Sequence, residues 1–143
     1  MPRCYLLLLS ASSSLDQHTN NVSLFQLVEQ VHFPAGAKLH SGRGIPLEIH
    51  AYFHVAEEEQ GKPIDVRYCL RASSGLETFS DVITHRSTTP RYRTRSIGVP
   101  FPPALGHYVL CIDYRVGEGP WSRDPLEWPI TFAQDERSPE VTH

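Results

Sequence analysis

The sequence predicts an all-β chain, a two-sheet antiparallel sandwich with seven to eight strands and at most one short helix. Three observations carry that expectation. Apolar residues alternate with polar ones in four separate segments, the period-two signature of strands with one buried face. Turn residues separate the segments, with 12 prolines and 9 glycines in 143 residues, a frequency that leaves little room for long helices. The length and a 40% hydrophobic content suit one core. The expected organisation is therefore a single domain over residues 1–132, with a charged, aperiodic tail at 133–143.

The clearest strand is residues 105–114, where Tyr108, Leu110, Ile112 and Tyr114 share one face directly after Gly106. From the start of the chain, residues 4–10 form an unbroken apolar run that reads as a strand buried on both faces. A short basic and apolar start loosely imitates a secretory leader, but six apolar residues fall below the roughly 7 to 15 that such a segment needs. Residues 11–21 read as a polar connection turning at Asn20 and Asn21, and 22–33 as a strand with one irregularity. Residues 34–46 read as a long loop.

Leu47, Ile49, Ala51, Phe53 and Val55 alternate with Glu48, His50, Tyr52 and His54, and Ile64, Val66, Tyr68 and Leu70 alternate with Asp65, Arg67, Cys69 and Arg71. A hairpin with one solvated face, joined through the acidic 56–62 connection, explains both. Residues 76–85 favour an extended segment, although Ser74 and Glu77 have capping-box spacing. The 91–101 segment is a strand with Arg91, Arg93, Arg95, Ile97, Val99 and Phe101 all in one phase. Leu126, Trp128, Ile130 and Phe132 alternate in a last strand. The expected core includes Leu7, Ile49, Phe53, Val66, Tyr68, Leu110, Ile112, Trp128 and Ile130.

The order of a strand, a proline-rich corner, Gly-x-Tyr, another strand, a turn containing Gly117, Gly119 and Pro120, and a final strand resembles the C-terminal half of an immunoglobulin-like domain, with Tyr108 at the place of a tyrosine corner. The aspartate that often precedes that glycine is absent, and no Cys and Trp combination lies at the antibody positions. Over 4–132 the chain also resembles a family of small bacterial proteins known only as a domain of unknown function. The matching features are the Tyr5-Leu-Leu-Leu-Leu run, Val22-Ser-Leu-Phe with Phe33-Pro34, the 47–55 strand, and Gly106-His-Tyr-Val-Leu. That resemblance implies no activity, cofactor or catalytic residue.

A net charge of -3 gives no global attraction for nucleic acid, so anion binding has to be local. Three widely spaced cysteines, Cys4, Cys69 and Cys111, form neither a zinc spacing nor a paired framework, which predicts reduced thiols and a cytoplasmic protein. No segment is long enough to cross a membrane as a helix. His50 and His54 flank Tyr52, but four residues of strand separate the imidazoles by about 13 Å, too far to share one ion. His50, Tyr52 and His54 are instead candidates for a partner surface, as is Trp121 beside Gly-Pro in a turn. Arg86, Arg91, Arg93 and Arg95, interleaved with Tyr92 and threonines, are a candidate anion contact, with edge protection by charge as the alternative.

No nucleophile elbow, metalloprotease motif, P-loop or dinucleotide fingerprint is present, so no catalytic, cofactor or metal residue is expected. The expectation is a non-enzymatic binding or accessory module that contacts another protein through loops or an edge strand. Nucleic-acid contact through 91–95 is the alternative, and an enzyme with a loop-borne site, involving His107 and Asp113, is a second.

Overall fold

The computed structural model describes residues 2–36 and 44–135. It is a sandwich of two sheets, built from β1 (Arg3–Leu15), β2 (Val22–Leu27), β3 (Gln30–Phe33), β4 (Ile45–His54), β5 (Pro63–Ala72), β6 (Glu77–Phe79), β7 (Ile83–Arg86), β8 (Arg91–Val99), β9 (Gly106–Val116), β10 (Ser122–Arg123) and β11 (Trp128–Gln134). One 3-10 turn at Glu57–Glu59 is the sole helical element among the described residues. Sheet A has the order β2-β1-β4-β8 and sheet B the order β3-β11-β9-β5-β6, with β10 on β9 and β7 on β5. The sandwich is as expected, but it has 11 strands rather than seven or eight, because two of the anticipated segments divide and the short β10 is added.

The first division is 22–33. Its irregularity is Gln26, with φ 55°, just before the chain leaves sheet A for sheet B at 28–29: β2 pairs with β1 through Leu27, and β3 pairs with β11. The Val28 amide bonds Leu9 O at 2.9 Å, and the Trp128 indole donates to Val28 O at 2.7 Å, so the crossing keeps its backbone partners. The β3–β11 pair is parallel, an exception to the antiparallel plan, and Phe33 stacks on Phe132 with ring centroids 6.0 Å apart. Residues 76–85 are extended as expected, broken into β6 and β7 along one edge of β5.

The proposed hairpin between 47–55 and 64–70 does not form. β4 lies in sheet A and β5 in sheet B, joined by a connection that crosses the sandwich. Alternation fixes which side of each strand is buried but not its neighbour, because in a sandwich that side is covered by the opposite sheet in either arrangement. Strand β5 pairs instead with β9 over nine registered positions, from Ile64↔Val116 to Ala72↔Tyr108. Of the loop expected at 34–46, Ile45 and Pro46 already belong to β4, and 37–43 lie outside the described residues. Of the expected tail, Ala133 and Gln134 complete β11, and 136–143 lie outside the described residues.

The core is formed as the alternation predicts. Leu7, Ile49, Phe53, Val66, Tyr68, Leu110, Ile112 and Ile130 are buried, while Trp128 is half-buried against them. Tyr108 Oη donates to Ala104 O at 2.7 Å, the bond of a tyrosine corner, which fixes the turn entering β9. The N-terminal strand is tied to the far end of the chain by buried Asp124, whose carboxylate accepts from the Cys4 amide at 2.9 Å and from Tyr114 Oη at 3.1 Å. Burial, with that carboxylate beside it, pushes the Tyr114 phenol above its usual range. The 4–10 run is the first strand of the domain, with Cys4 and Leu7 to Ser10 buried, but Tyr5 is exposed, so the run is not buried on both faces along its whole length.

Candidate functional site

The outer face of sheet A collects most of the residues that the sequence marks. Strands β4 and β8 pair so that His50 faces Arg95, Tyr52 faces Arg93 and His54 faces Arg91, while β1 places Arg3 on the other side of His54. Arg91, Arg93 and Arg95 of the candidate anion contact and His50, Tyr52 and His54 of the candidate partner surface therefore share one face. Arg91, Arg93 and Arg95 reach it by a change of phase: Val99 is buried, Ile97 is 63% exposed, and the switch lies at Gly98 with φ 117°. Opposite Gly98, Ile45↔Val99 is followed by Glu48↔Ile97, a bulge that adds a residue to β4. The Gly44 backbone passes so near that a Cβ on Gly44 would sit 3.0 Å from the Gly98 Cα. The arginines avoid the core because this bulge inverts the line that Ile97 and Val99 would otherwise share.

A second device shapes the face. Strand β1 pairs with β4 only as far as Ser10, and from Ser12 to Leu15 it pairs with β2 alone. The serine-rich stretch expected as a connection is thus a hairpin that overhangs the sheet. Its turn latches onto β8, where Arg93 Nη1 donates to Asn20 O at 2.9 Å. Between hairpin and sheet lies an open cleft of about 500 Å³, lined by Ser13, Leu15, Val22, Tyr52, Arg93 and Arg95 among others.

Under the hairpin the polar face of β4 is closed rather than solvated. Glu48 and His50 are buried, at 5% and 2% exposure, against the expectation of an open face. Glu48 accepts two bonds from Arg95, at 2.8 and 3.1 Å, and one from Ser13 Oγ at 2.6 Å. The Arg95 guanidinium bond, opposed by desolvation, holds this carboxyl down at about 2. His50 Nε2 lies 3.1 Å from Ser10 Oγ and 3.2 Å from Glu48 Oε1. Ser10 Oγ donates to Ser12 O, so His50 Nε2–H is the donor to both oxygens, and burial pulls the imidazole pKa below its usual value. A Ser-His-Glu relay needs its partners on opposite ring nitrogens; here both share one, and Ser10 is fully buried. The trio is a structural polar cluster.

Toward the N-terminal end of β8 the face is open. Tyr5 lies at 40% exposure with its ring centroid 4.7 Å from that of His54 and 5.9 Å from that of Tyr52. Arg93 stands over Tyr52 with Cζ 5.8 Å from the ring centroid. Arg3, Arg91 and Arg93 are exposed and have no carboxylate within ion-pair distance among the described residues, whereas Arg95 is neutralised by Glu48. On a chain of net charge -3 this is a local cationic and aromatic strip.

The remaining marked residues lie elsewhere. Arg86 is on β7 in sheet B and donates to Gly61 O at 3.0 Å, so it does not join the other three arginines. Trp121 is half-buried on the outer face of sheet B, clamped between Arg67 and Arg115 with Cζ atoms 4.3 and 4.5 Å from its ring centroid. His107 bonds Thr131 Oγ1 at 2.8 Å, while buried Asp113 accepts from Arg67 and Arg123, so these two are separately engaged. Cys69 and Cys111 face outward in phase and are registered opposite each other, yet both are fully buried under this arginine layer and free. Burial pushes the Cys69 thiol up to about 11, which argues against a thiolate nucleophile. Among the described residues no three His, Cys, Asp or Glu side chains gather to hold a metal ion, and no helix is long and apolar enough to cross a membrane.

Sequence reasoning missed Arg3, Tyr5, Ser13, Asn20 and Glu48. The Arg-x-Arg-x-Arg alternation was visible, but only the β4–β8 register and the overhanging hairpin join it to the others. Comparison with protein-family models, with curated proteins and with solved structures finds no match to this chain.

Proposed function

We propose that this protein is a non-enzymatic binding module that contacts another protein through edge strand β8 and the sheet face beside it. One observation carries the reading: β8 is the last strand of sheet A, and the arginines that it turns outward lie beside half-buried Tyr52 and exposed His54, with two of three charges uncompensated by a carboxylate among the described residues. Arginine and tyrosine are the side chains most enriched at energetic centres of protein interfaces. The bacterial, immunoglobulin-like family resemblance belongs to the same proposal, and so does a cytoplasmic setting, which three free and buried thiols support.

The test is selection of a displayed random-peptide library on the immobilised protein, with counter-selection on the Arg91→Ala/Arg93→Ala variant. Enriched sequences that bind the parent and lose affinity for the variant are expected. Absence of enrichment, or enrichment indifferent to both substitutions, rejects this surface. A polyanion reading is favoured by one feature, the spacing of about 6.8 Å between successive arginines along the strand. Fluorescence anisotropy with labelled single-stranded and duplex oligonucleotides at low and physiological salt separates it. Counterion release makes such binding fall steeply with salt, and submicromolar, arginine-dependent affinity at physiological salt would replace the protein-partner reading.

A further inference from the structure

We infer that β8 accepts an extended, acidic segment of a partner as an added antiparallel strand, with one carboxylate opposite Arg91 and a second, two residues away, opposite Arg93. This rests on the binding-module reading and specifies its partner. Four observations carry it.

First, β8 is the longest regular edge. The other edge of sheet A, β2, has 6 residues and is kinked at Gln26 with φ 55°, while β3 has 4 residues and β6 and β7 have 3 and 4. Short and broken edges are how sheets avoid unwanted pairing. Strand β8 runs 9 residues and is continuously registered on β4 from Arg91 to Ile97. It is long enough to template a partner strand through main-chain hydrogen bonds.

Second, the charges on this edge are unequal. Arg95 is committed to Glu48 by two hydrogen bonds, whereas Arg91 and Arg93 lack any carboxylate among the described residues. Residues directly opposite on adjacent strands bring their Cβ atoms to about 5 Å, so carboxylates at alternate positions of an added strand reach these two guanidiniums. A neutral residue belongs opposite Arg95.

Third, the same charges exclude the simplest competitor. A second copy of β8 pairing antiparallel would bring arginine rows together, a repulsion that falls on the self-pair and not on an acidic strand.

Fourth, the end of the edge changes character. Ile97 is 63% exposed and borders an open cleft of about 520 Å³ between the sheet edges, also lined by Phe79, Ile83 and Phe101. Phe79 and Ile83 are themselves exposed, at 42% and 37%. An apolar residue of the partner opposite Ile97 would cover this patch. In the antiparallel sense the partner then reads apolar, any, neutral, any, acidic, any, acidic.

The probe is the capped peptide Val-Thr-Ser-Thr-Glu-Thr-Glu, with a Lys-for-Glu counterpart and a third version N-methylated at alternate backbone amides. Binding is followed by NMR titration and by amide hydrogen exchange. Slowed exchange along β8, binding lost by the lysine and N-methylated peptides, and an affinity about tenfold weaker for Arg91→Glu/Arg93→Glu are expected. Both substitutions are on exposed side chains, and an unchanged melting temperature of that variant shows that the fold is intact. Equal affinity for the double variant, protection at β2 or β3 instead of β8, or no binding at millimolar peptide overturns the inference. So does tighter arginine-dependent binding of oligothymidylate, which would assign the strip to polyanions. A library selection that succeeds with sequences of another pattern would leave the binding module standing and remove only the acidic strand.

Discussion

The two outer faces of the sandwich use the same side chain in opposite ways. On sheet B the arginines of β5, β9 and β10 all meet carboxylates: Arg67 and Arg123 share Asp113, Arg115 pairs with Asp65, Arg71 with Glu127, and Arg123 also with Glu77. Phe79 and Trp121 fill the gaps between guanidinium planes, with Arg67 Cζ 4.2 Å from the Phe79 ring centroid. On sheet A, Arg95 alone of the β8 arginines has such a partner. Arginine as such therefore says little about function. A guanidinium closed between an acid and an aromatic ring is part of the scaffold, and one left open beside tyrosine rings is available to a ligand.

The largest effect that sharpens this contrast is expected on sheet B. Asp113→Ala removes a buried acceptor, 3% exposed, that serves two guanidiniums at once. Urea unfolding should show a loss of about 3 kcal/mol, because the stranded charges are only partly able to reach water. A loss below about 1 kcal/mol would mean that the sheet B layer is as dispensable as an ordinary surface, and the contrast between faces would disappear.

A smaller effect is expected at the closed end of the sheet A face. The Glu48 carboxyl, held at about 2 in the folded protein against 4.5 ordinarily, binds its proton more readily in the unfolded chain. Its contribution is therefore complete above about pH 4.5 and is lost as pH falls toward about 2. His50, lowered by burial, adds a second loss in the same direction that begins as pH falls below its unfolded value near 6.5. Stability measured against pH should lose the lower of these two slopes in Glu48→Gln and the upper in His50→Gln. Unchanged slopes would show that neither group is linked to folding.

The smallest effect belongs to the open strip. Arg91→Ala/Arg93→Ala should change unfolding stability by no more than about 0.5 kcal/mol, since neither side chain is paired with a carboxylate or buried. A loss above about 1.5 kcal/mol would make the strip a structural element and would weaken the case for a ligand there. The Arg93 bond to Asn20 O sets the direction of any residual effect, through the hairpin it latches.

Local pattern, by itself, determined the strands and their inward sides. Alternation is a property of neighbouring residues, so the core positions of β4, β5, β9 and β11, the extended 76–85 segment and the Tyr108 corner were readable before any fold was known. The phase of Arg91, Arg93 and Arg95 also carried real information, because burying three guanidiniums in line with Val99 is prohibitive and a bulge or rim exit was required. The bulge at Gly98 is that exit. Only the tertiary structure decided which strands became neighbours. Pairing joins residues far apart in sequence, and an apolar face satisfied across the core looks the same in the chain as one satisfied in a hairpin. For that reason the β4–β5 connection, the sheet change at 28–29, the parallel β3–β11 pair and the burial of Glu48, His50, Cys69 and Cys111 were not legible. The candidate site lies on the same side of that line: nothing in the chain marks Arg3, Tyr5, Tyr52, His54, Arg91 and Arg93 as a group until the register of β1, β4 and β8 makes them one face.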